Sequence, residues 1–259
     1  MSSVNSESSL FIFSRLSRIS AVSRCASALD CSNASAITAD AYVGAIAGKL
    51  SSITINDCTN AGSSINATGS VTVDSVKYAY VGGYVGHGYL ANSCVNTVAI
   101  TYKGGGRYVG GIMGYSSASG TVQMSDLENQ ANISGANYVG GIIGRWNSKS
   151  EEYNAKYTVT MSNIRNSGKI TASGSYAGGI VGYMYAENTY NTSSNTTFYG
   201  DKLTNTGSIS ANQYAGGLFG YIKTDSTSSS VMDATATGTV SATSNFGKRY
   251  GFAENVKFE

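Results

Sequence analysis

Apolar and polar residues alternate along most of this chain in short runs, and one apolar run recurs at a regular interval. Its best-formed copy reads Tyr138-Val-Gly-Gly-Ile-Ile-Gly144. Six copies begin at tyrosines, here called the motif tyrosines: Tyr42, Tyr80, Tyr108, Tyr138, Tyr176 and Tyr214. Successive motif tyrosines are 28 to 38 residues apart, an interval typical of solenoids, propellers and repeat arrays. A decayed seventh copy is expected at Tyr250.

A second signal accompanies each run: an apolar residue followed, two positions later, by asparagine. The asparagines are Asn60, Asn96, Asn129, Asn166 and Asn205, and Ala236 takes this place in the last copy. Asparagine bonds backbone groups at bends and tolerates the left-handed region. Stacked once per coil, these side chains are expected to bond one another along the axis, as in ladders of identical residues.

Each repeat contains up to three short strand candidates: the tyrosine run, an alternating segment such as 158–162, and a segment after the asparagine such as 168–171. Alternating β-branched and polar residues between Gly, Asn and Ser are typical of half-buried strands. Proline is absent, as expected where every internal strand donates to a neighbour. Four-stranded propeller blades do not fit the shortest repeats. The pattern predicts an all-β fold, a right-handed parallel β-solenoid of about six coils over residues 41–259.

Residues 1–40 lie outside the repeat. Phe13, Leu16 and Ile19, with Arg15 and Arg18 between them, predict a basic amphipathic helix. We favour a helix that caps the open end of the repeat stack, and an Arg- and Ser-rich organelle-targeting segment is the alternative. A secretory signal fits less well, because the apolar stretch before Arg15 is short. No stretch approaches the length of a transmembrane helix.

Composition narrows the function. Only 12% of residues are charged and the net charge is +2, so there is no electrostatic footprint for nucleic acid. Cys58 and Cys94 fall where other copies carry Leu127 or Ile164, which favours core thiols over a disulfide. One histidine, His87, is too little for a multi-histidine metal site. We expect no metal and no cofactor.

Paired carboxylates could cleave glycosides across a groove. The candidates are Asp126 with Glu128, Glu151 with Glu152, and Glu187. Neighbouring strand side chains point to opposite faces, and acidic residues in loops are usually solvated, so surface charge is the simpler interpretation of each pair.

The fourth and fifth copies carry extra residues between the motif tyrosine and its asparagine, and insertions at one corner of consecutive coils stack into a patch. Exposed aromatic residues among polar ones suit glycan or protein surfaces. The candidate ligand-binding residues are Trp146, Glu151, Glu152, Tyr153, Tyr157, Tyr183, Tyr185 and Tyr190. The alternative is that these rings cover the coil beneath them.

The recurrent Gly-Gly-Ile/Leu-apolar-Gly core resembles the GLUG motif of repeat-containing surface and secreted proteins, over about residues 42–252. This resemblance implies a β-solenoid in a cell-surface or adhesin-like region, with no catalytic residues to transfer. The Tyr42 copy departs from the motif at Ala45 and Ala47.

Together these features predict a non-enzymatic cell-surface or extracellular module for structure or adhesion, with a glycan or protein ligand. An uncapped last coil would also permit end-to-end self-association. The alternatives are a carbohydrate-active β-helix enzyme, a filament-forming solenoid, and an ice-binding solenoid with a threonine row near residues 53–55, 71–73 and 158–160. An organelle location through the basic N-terminus is the alternative to the cell surface.

Overall fold

The computed structural model describes residues 27–29, 32–50, 54–118, 120–148, 156–186 and 195–259. Every regular element in these ranges is a strand, and almost every strand pairs in parallel with its equivalent in the next coil. The predicted parallel β-solenoid is therefore confirmed. Within these ranges, no helix is long and apolar enough to cross a membrane.

Two seven-stranded sheets hold the tyrosine run, which bends at its glycine pair. The tyrosine sheet consists of Tyr42–Val43, Tyr80–Gly82, Arg107–Gly110, Asn137–Gly140, Tyr176–Gly178, Tyr214–Gly216 and Asn245–Gly247. The aliphatic sheet consists of Ala47–Lys49, Val85–Gly88, Met113–Ser116, Ile143–Ser148, Val181–Ala186, Phe219–Thr224 and Tyr250–Glu254. Side chains of the two sheets meet on the outer surface along this bend.

Two further sheets complete each coil. The asparagine sheet consists of Ser32–Asn33, Thr59–Asn60, Cys94–Asn96, Val122–Asn129, Lys156–Asn166, Asn195–Asn205, Ser229–Met232, Thr235–Ala236 and Val256–Phe258. The isoleucine sheet consists of Ile37–Ala39, Ile65–Ala67, Ile100–Tyr102, Ile133–Gly135, Ile170–Ala172, Ile209–Ser210 and Val240–Ser241. In the early coils a short sheet of Ser27–Leu29, Thr54–Asn56 and Leu90–Asn92 precedes the asparagine strands.

The asparagines form the predicted ladder along the axis. The Nδ2 of Asn96 donates to the Oδ1 of Asn129, and the same bond joins Asn129 to Asn166 and Asn166 to Asn205, each at 2.7 Å. Except at Asn60, whose Nδ2 donates to the carbonyl of Gly83, each Nδ2 also donates to the carbonyl two residues on, as Asn129 does to Ala131 at 2.8 Å. All five asparagines of the sequence signal are 2% exposed or less. Buried amides are thus paired with one another and with the backbone.

The ladder separates two apolar cores. The larger core, between the aliphatic and asparagine sheets, contains Trp146 and Phe198, and the smaller core, between the tyrosine and isoleucine sheets, contains Val139 and Ile170. Between them, the second glycine of the run faces an asparagine at four levels: Gly83, Gly111, Gly141 and Gly179. A Cβ built on Gly141 would lie 2.7 Å from the Oδ1 of Asn166. Glycine there lets the two sides of the coil approach.

The coil begins earlier than the predicted boundary at residue 40. Ser32–Asn33 pairs with Thr59–Asn60, and Ile37–Ala39 pairs with Ile65–Ala67 in the same register as later coils. Both strands belong to the coil of Tyr42 and precede that tyrosine, so a repeat counted from Tyr42 leaves them out. The predicted amphipathic helix lies outside the described residues.

The last repeat is also displaced from its expected position. Tyr214 pairs with Asn245, and Tyr250 pairs with Phe219 of the aliphatic sheet. The seventh copy therefore begins at Asn245, where asparagine replaces the tyrosine and hides the pattern. Counted along the tyrosine sheet, the solenoid has seven levels rather than about six.

Cys58 and Cys94 are buried thiols, as expected from their repeat position. Cys94 pairs with Leu127, which in turn pairs with Ile164. The Sγ of each cysteine lies 3.1 to 3.2 Å from a backbone carbonyl two residues before it. Both side chains pack in the larger core.

A β-hairpin, Val71–Val73 with Val76–Tyr78, is the one antiparallel pair among the described strands. Its two-residue turn places Asp74 at φ 49° and Ser75 at φ 64°, the left-handed conformations of a type I′ turn. The hairpin sits between the isoleucine and tyrosine sheets and accounts for the length of the first repeat. We did not predict it.

A candidate binding groove on the aromatic face

The motif tyrosines form a ladder on the outer surface. Ring centroids from Tyr42 to Tyr80 lie 4.6 Å apart, and those from Tyr176 to Tyr214 lie 4.9 Å apart with an interplanar angle of 10°. The intervening steps measure 5.0 to 5.4 Å. Parallel pairing in register imposes this spacing, because equivalent side chains of adjacent strands stack directly.

A second row of large side chains runs beside the ladder on the aliphatic sheet. Its members occupy the seventh residue after each motif position: Lys49, His87, Tyr115, Arg145, Tyr183, Tyr221 and Phe252. This seventh-position row meets the ladder edge to face, with Tyr138 and Tyr183 centroids 5.1 Å apart at 89°. This row was not predicted, although its fixed distance from the motif tyrosines is a signal that the sequence contains.

The two rows and the hairpin enclose a groove of about 400 Å³, here called the aromatic groove. Val73 and Tyr78 of the hairpin form one wall. The remaining lining comes from Tyr80 and Tyr108 of the ladder, from His87, Tyr115 and Arg145 of the seventh-position row, and from Ser117 and Asn147. Apolar ring faces with a few polar groups are typical of small-ligand sites.

Arg145 lies at the centre of a group of four tyrosines. Its Nη1 donates to the hydroxyl of Tyr108 at 2.9 Å. The guanidinium carbon lies 5.3 to 6.0 Å from the ring centroids of Tyr108, Tyr115, Tyr138 and Tyr183, within the range of cation–π attraction. No carboxylate of the described residues forms an ion pair with it.

His87 stacks on Tyr80 at 5.3 Å and meets Tyr115 edge to face at 4.8 Å. Burial, and then the charge of Lys49, lower the pKa of His87 to about 4. The imidazole is therefore neutral at pH 7, with its Nε2 3.1 Å from the hydroxyl of Ser117. Burial likewise raises the pKa of the Tyr80 and Tyr183 phenols, so both keep their protons and can donate.

The predicted ligand-binding residues do not form one site. Trp146 is fully buried in the larger core, so the expectation of an exposed indole is wrong. Its side chain points inward because it adjoins Arg145, which points outward from the same strand. Tyr183 and Tyr185 lie on the aromatic face 6.4 Å apart, whereas Tyr157 lies in the asparagine sheet, paired with Thr196.

Glu151, Glu152, Tyr153 and Tyr190 lie outside the described residues, as does Glu187. The strands that flank the two insertions are nevertheless in register. Ser148 pairs with Ala186 before the insertions, and Lys156 pairs with Asn195 after them. Both insertions thus leave and rejoin the solenoid at one corner.

Asp126 and Glu128, the one candidate pair among the described residues, do not resemble a glycosidase pair. Asp126 is exposed, and a hydrogen bond from Asn163 at 2.6 Å lowers its pKa, the opposite of what a general acid requires. Glu128 accepts a bond from Gln130 at 2.8 Å. Among the described residues, no group of three His, Cys, Asp or Glu side chains could hold a metal ion.

The threonine segments considered for ice binding do not align. Thr54 lies in the short sheet before the asparagine strands, Thr72 lies in the hairpin, and Thr158 lies in the asparagine sheet. They belong to different faces, so they form no single row.

Comparisons with known proteins give no relative for this chain. No family model, no curated protein and no solved structure matches it significantly.

Proposed function

We propose that this chain is a non-enzymatic structural and adhesion module that binds a saccharide in the aromatic groove. The observation that carries this proposal is the double row of rings, in which Tyr80 and Tyr108 pack against His87 and Tyr115 and together line one groove. The groove includes Arg145 and Asn147, which stand on the strand that precedes the insertion of the fourth copy.

Sugar rings combine C–H faces with hydroxyl edges, and the groove offers a matching surface. Tyrosine supplies a rigid apolar face and a polar tip at low entropic cost. Ser117 and Asn147 add a hydroxyl and an amide group to the lining. Such groups fix the orientation of a ligand whose faces are held by the rings.

The solenoid holds this surface rigidly. Apart from Val73, Tyr78 and Ser117, the groove residues stand on strands that pair on both sides, such as Met113–Ser116 between Val85–Gly88 and Ile143–Ser148. Sites built on strands keep their geometry more closely than sites built on loops. The aromatic face therefore needs little ordering when a ligand binds.

The resemblance to GLUG repeats supports a cell-surface or extracellular location for such a module, and it rests on the motif residues alone. A protein ligand in place of a saccharide is the alternative, as is end-to-end self-association. For the latter, Phe246 of the last tyrosine strand is 61% exposed.

A glycan array tests the proposal, with Tyr115→Ala and the control Tyr199→Ala beside the native chain. Tyr199 is exposed on the asparagine sheet, away from the groove. We expect Tyr115→Ala to weaken binding by about tenfold or more, as for loss of a central aromatic anchor, and Tyr199→Ala to leave it unchanged. A blank array would contradict saccharide binding, and shortened products among the bound sugars would contradict a non-enzymatic role.

A further inference from the structure

We propose that the aromatic groove selects saccharides that carry a carboxylate, and that Arg145 binds this carboxylate. The inference rests on the proposed function and specifies its ligand class. The observation behind it is that Arg145, a cation, occupies a position where the two neighbouring coils have a tyrosine ring.

Arg145 differs from its two neighbours in the seventh-position row. Tyr115 precedes it and Tyr183 follows it in register, so an aromatic side chain is compatible with the geometry on both sides. Arginine instead places a permanent charge among four rings, where it loses part of its hydration. Cation–π contacts offset part of that cost, and an anionic ligand would offset the remainder.

The guanidinium retains unused donors. One nitrogen, Nη1, bonds the hydroxyl of Tyr108, and Nη2 makes no hydrogen bond to any described residue. Nε is enclosed by the coil and has no acceptor. A planar fork with spare donors matches the two oxygens of a carboxylate. A neutral hydroxyl would accept only one of these bonds.

The charge around the groove also favours an anion. The guanidinium carbon of Arg107 lies 5.9 and 5.5 Å from the ring centroids of Tyr78 and Tyr138. At the other end of the row, Lys49 is next to His87 in the register of adjacent strands. Among the described residues that line the groove, none carries a carboxylate. Basic groups against low-dielectric ring walls strengthen the local positive potential.

The volume of the aromatic groove limits the size of the ligand. About 400 Å³ is near the lower end of the range of roughly 300–1,000 Å³ for small-ligand sites. We therefore expect one acidic sugar and its immediate neighbours to occupy the groove, with their faces against Tyr80 and Tyr115. The rest of the saccharide would extend along the aromatic ladder.

The test compares an oligosaccharide of galacturonic acid with the same oligosaccharide fully methyl-esterified, a pair that differs in carboxylate charge. Dissociation constants are measured by calorimetry for the native chain, Arg145→Gln and Arg165→Gln. Arg165 is exposed on the asparagine sheet and serves as a matched loss of charge. We expect the native chain to prefer the acid about tenfold, Arg145→Gln to bind both forms equally, and Arg165→Gln to keep the preference.

Each result decides the question. Equal binding of the acid and the ester by the native chain overturns the carboxylate inference but keeps the proposed saccharide site. A preference that survives Arg145→Gln overturns the role of Arg145, and failure to bind either form overturns both proposals. Should Arg145→Gln unfold, Arg145→Lys replaces it, and a weakened preference is expected because the planar fork is lost.

Discussion

Two stacks of side chains run along this molecule, one inside and one outside, and they obey different rules. The inner stack repeats asparagine from Asn60 to Asn205 without exception. The outer stack, the seventh-position row, changes from lysine to histidine, tyrosine, arginine and phenylalanine along the same axis. The backbone pairing is equally regular beneath both.

The two stacks differ in residue type because the inner one is buried and the outer one is in contact with water. A buried amide must satisfy two donors and an acceptor, and a second asparagine one coil away does this with the neighbouring carbonyl. Any other residue leaves a partner unsatisfied. On the outer surface, water can hydrogen-bond the polar groups that the protein leaves unpaired. The residue type in the seventh-position row can therefore vary, and the row can acquire specificity for a ligand.

The largest expected effect is on the inner stack. Asn129→Asp preserves the shape of the side chain, but it removes the donor to Asn166 and Ala131 and buries a carboxylate. We expect the free energy of unfolding, measured with urea at pH 7, to fall by about 3–5 kcal/mol. Burial raises the folded-state pKa of the introduced carboxyl, so the loss relative to the native chain should shrink as the pH falls toward 4.

Asn132→Asp is the control for this change. Asn132 is exposed and uses its Oδ1 only to accept a bond from the backbone N–H of Lys169 at 3.0 Å, which a carboxylate can also accept. We expect a change within about 0.5 kcal/mol. Equal losses for the two variants would mean that the ladder contributes no special stability.

The next largest effect concerns the glycine that faces the ladder. In Gly141→Ala, the new Cβ would overlap the carbonyl oxygen of Gly179 and approach the Cγ of Asn166 to 2.7 Å. Backbone cannot move aside as a flexible side chain can, so we expect a loss of about 2–4 kcal/mol in urea unfolding. Gly105→Ala, whose Cβ meets only Lys77 at 4.0 Å, should stay near the native stability.

The smallest effect tests the outer stack through pH. Because the folded-state pKa of His87 is about 4 and the unfolded value is about 6.5, protonation favours the unfolded chain. Stability from this group is present above pH 6.5 and is lost as the pH falls toward 4. Because solvent screens this partly exposed group, we expect the free energy of unfolding to fall by on the order of 1 kcal/mol.

His87→Gln removes this titration and retains a side chain that can bond Ser117. Urea unfolding at pH 7 and pH 4.5 should therefore show a smaller decrease for His87→Gln than for the native chain. The same decrease in both would show that His87 does not sense pH in the folded state.

Much of the fold follows from local pattern. The glycine pair and the asparagine recur in most coils and proline is absent, so the periodicity predicted the parallel stack, the asparagine ladder and the buried positions of Cys58 and Cys94. These predictions succeeded because one physical constraint is repeated at each level. Where a copy replaces its marker residue, as at Asn245, the register could not be read.

The candidate site was harder to predict, because its residues share a place in the coil but not a chemical type. His87, Tyr115 and Arg145 look unrelated until they are counted from the motif tyrosines. Trp146 was misjudged for a related reason: a change of one residue along a strand exchanges the inner and outer faces. Composition favoured the insertion for ligand binding, whereas strand alternation would have placed the indole inside.

The hairpin between the isoleucine and tyrosine sheets has a consequence for engineering. It adds residues within one turn, yet Tyr42 and Tyr80 on either side of it still pair in register. Added length is absorbed at the corner where it occurs and is not passed to the next level. A corner of this scaffold can therefore accept a grafted peptide as an independent module, without redesign of the remaining coils.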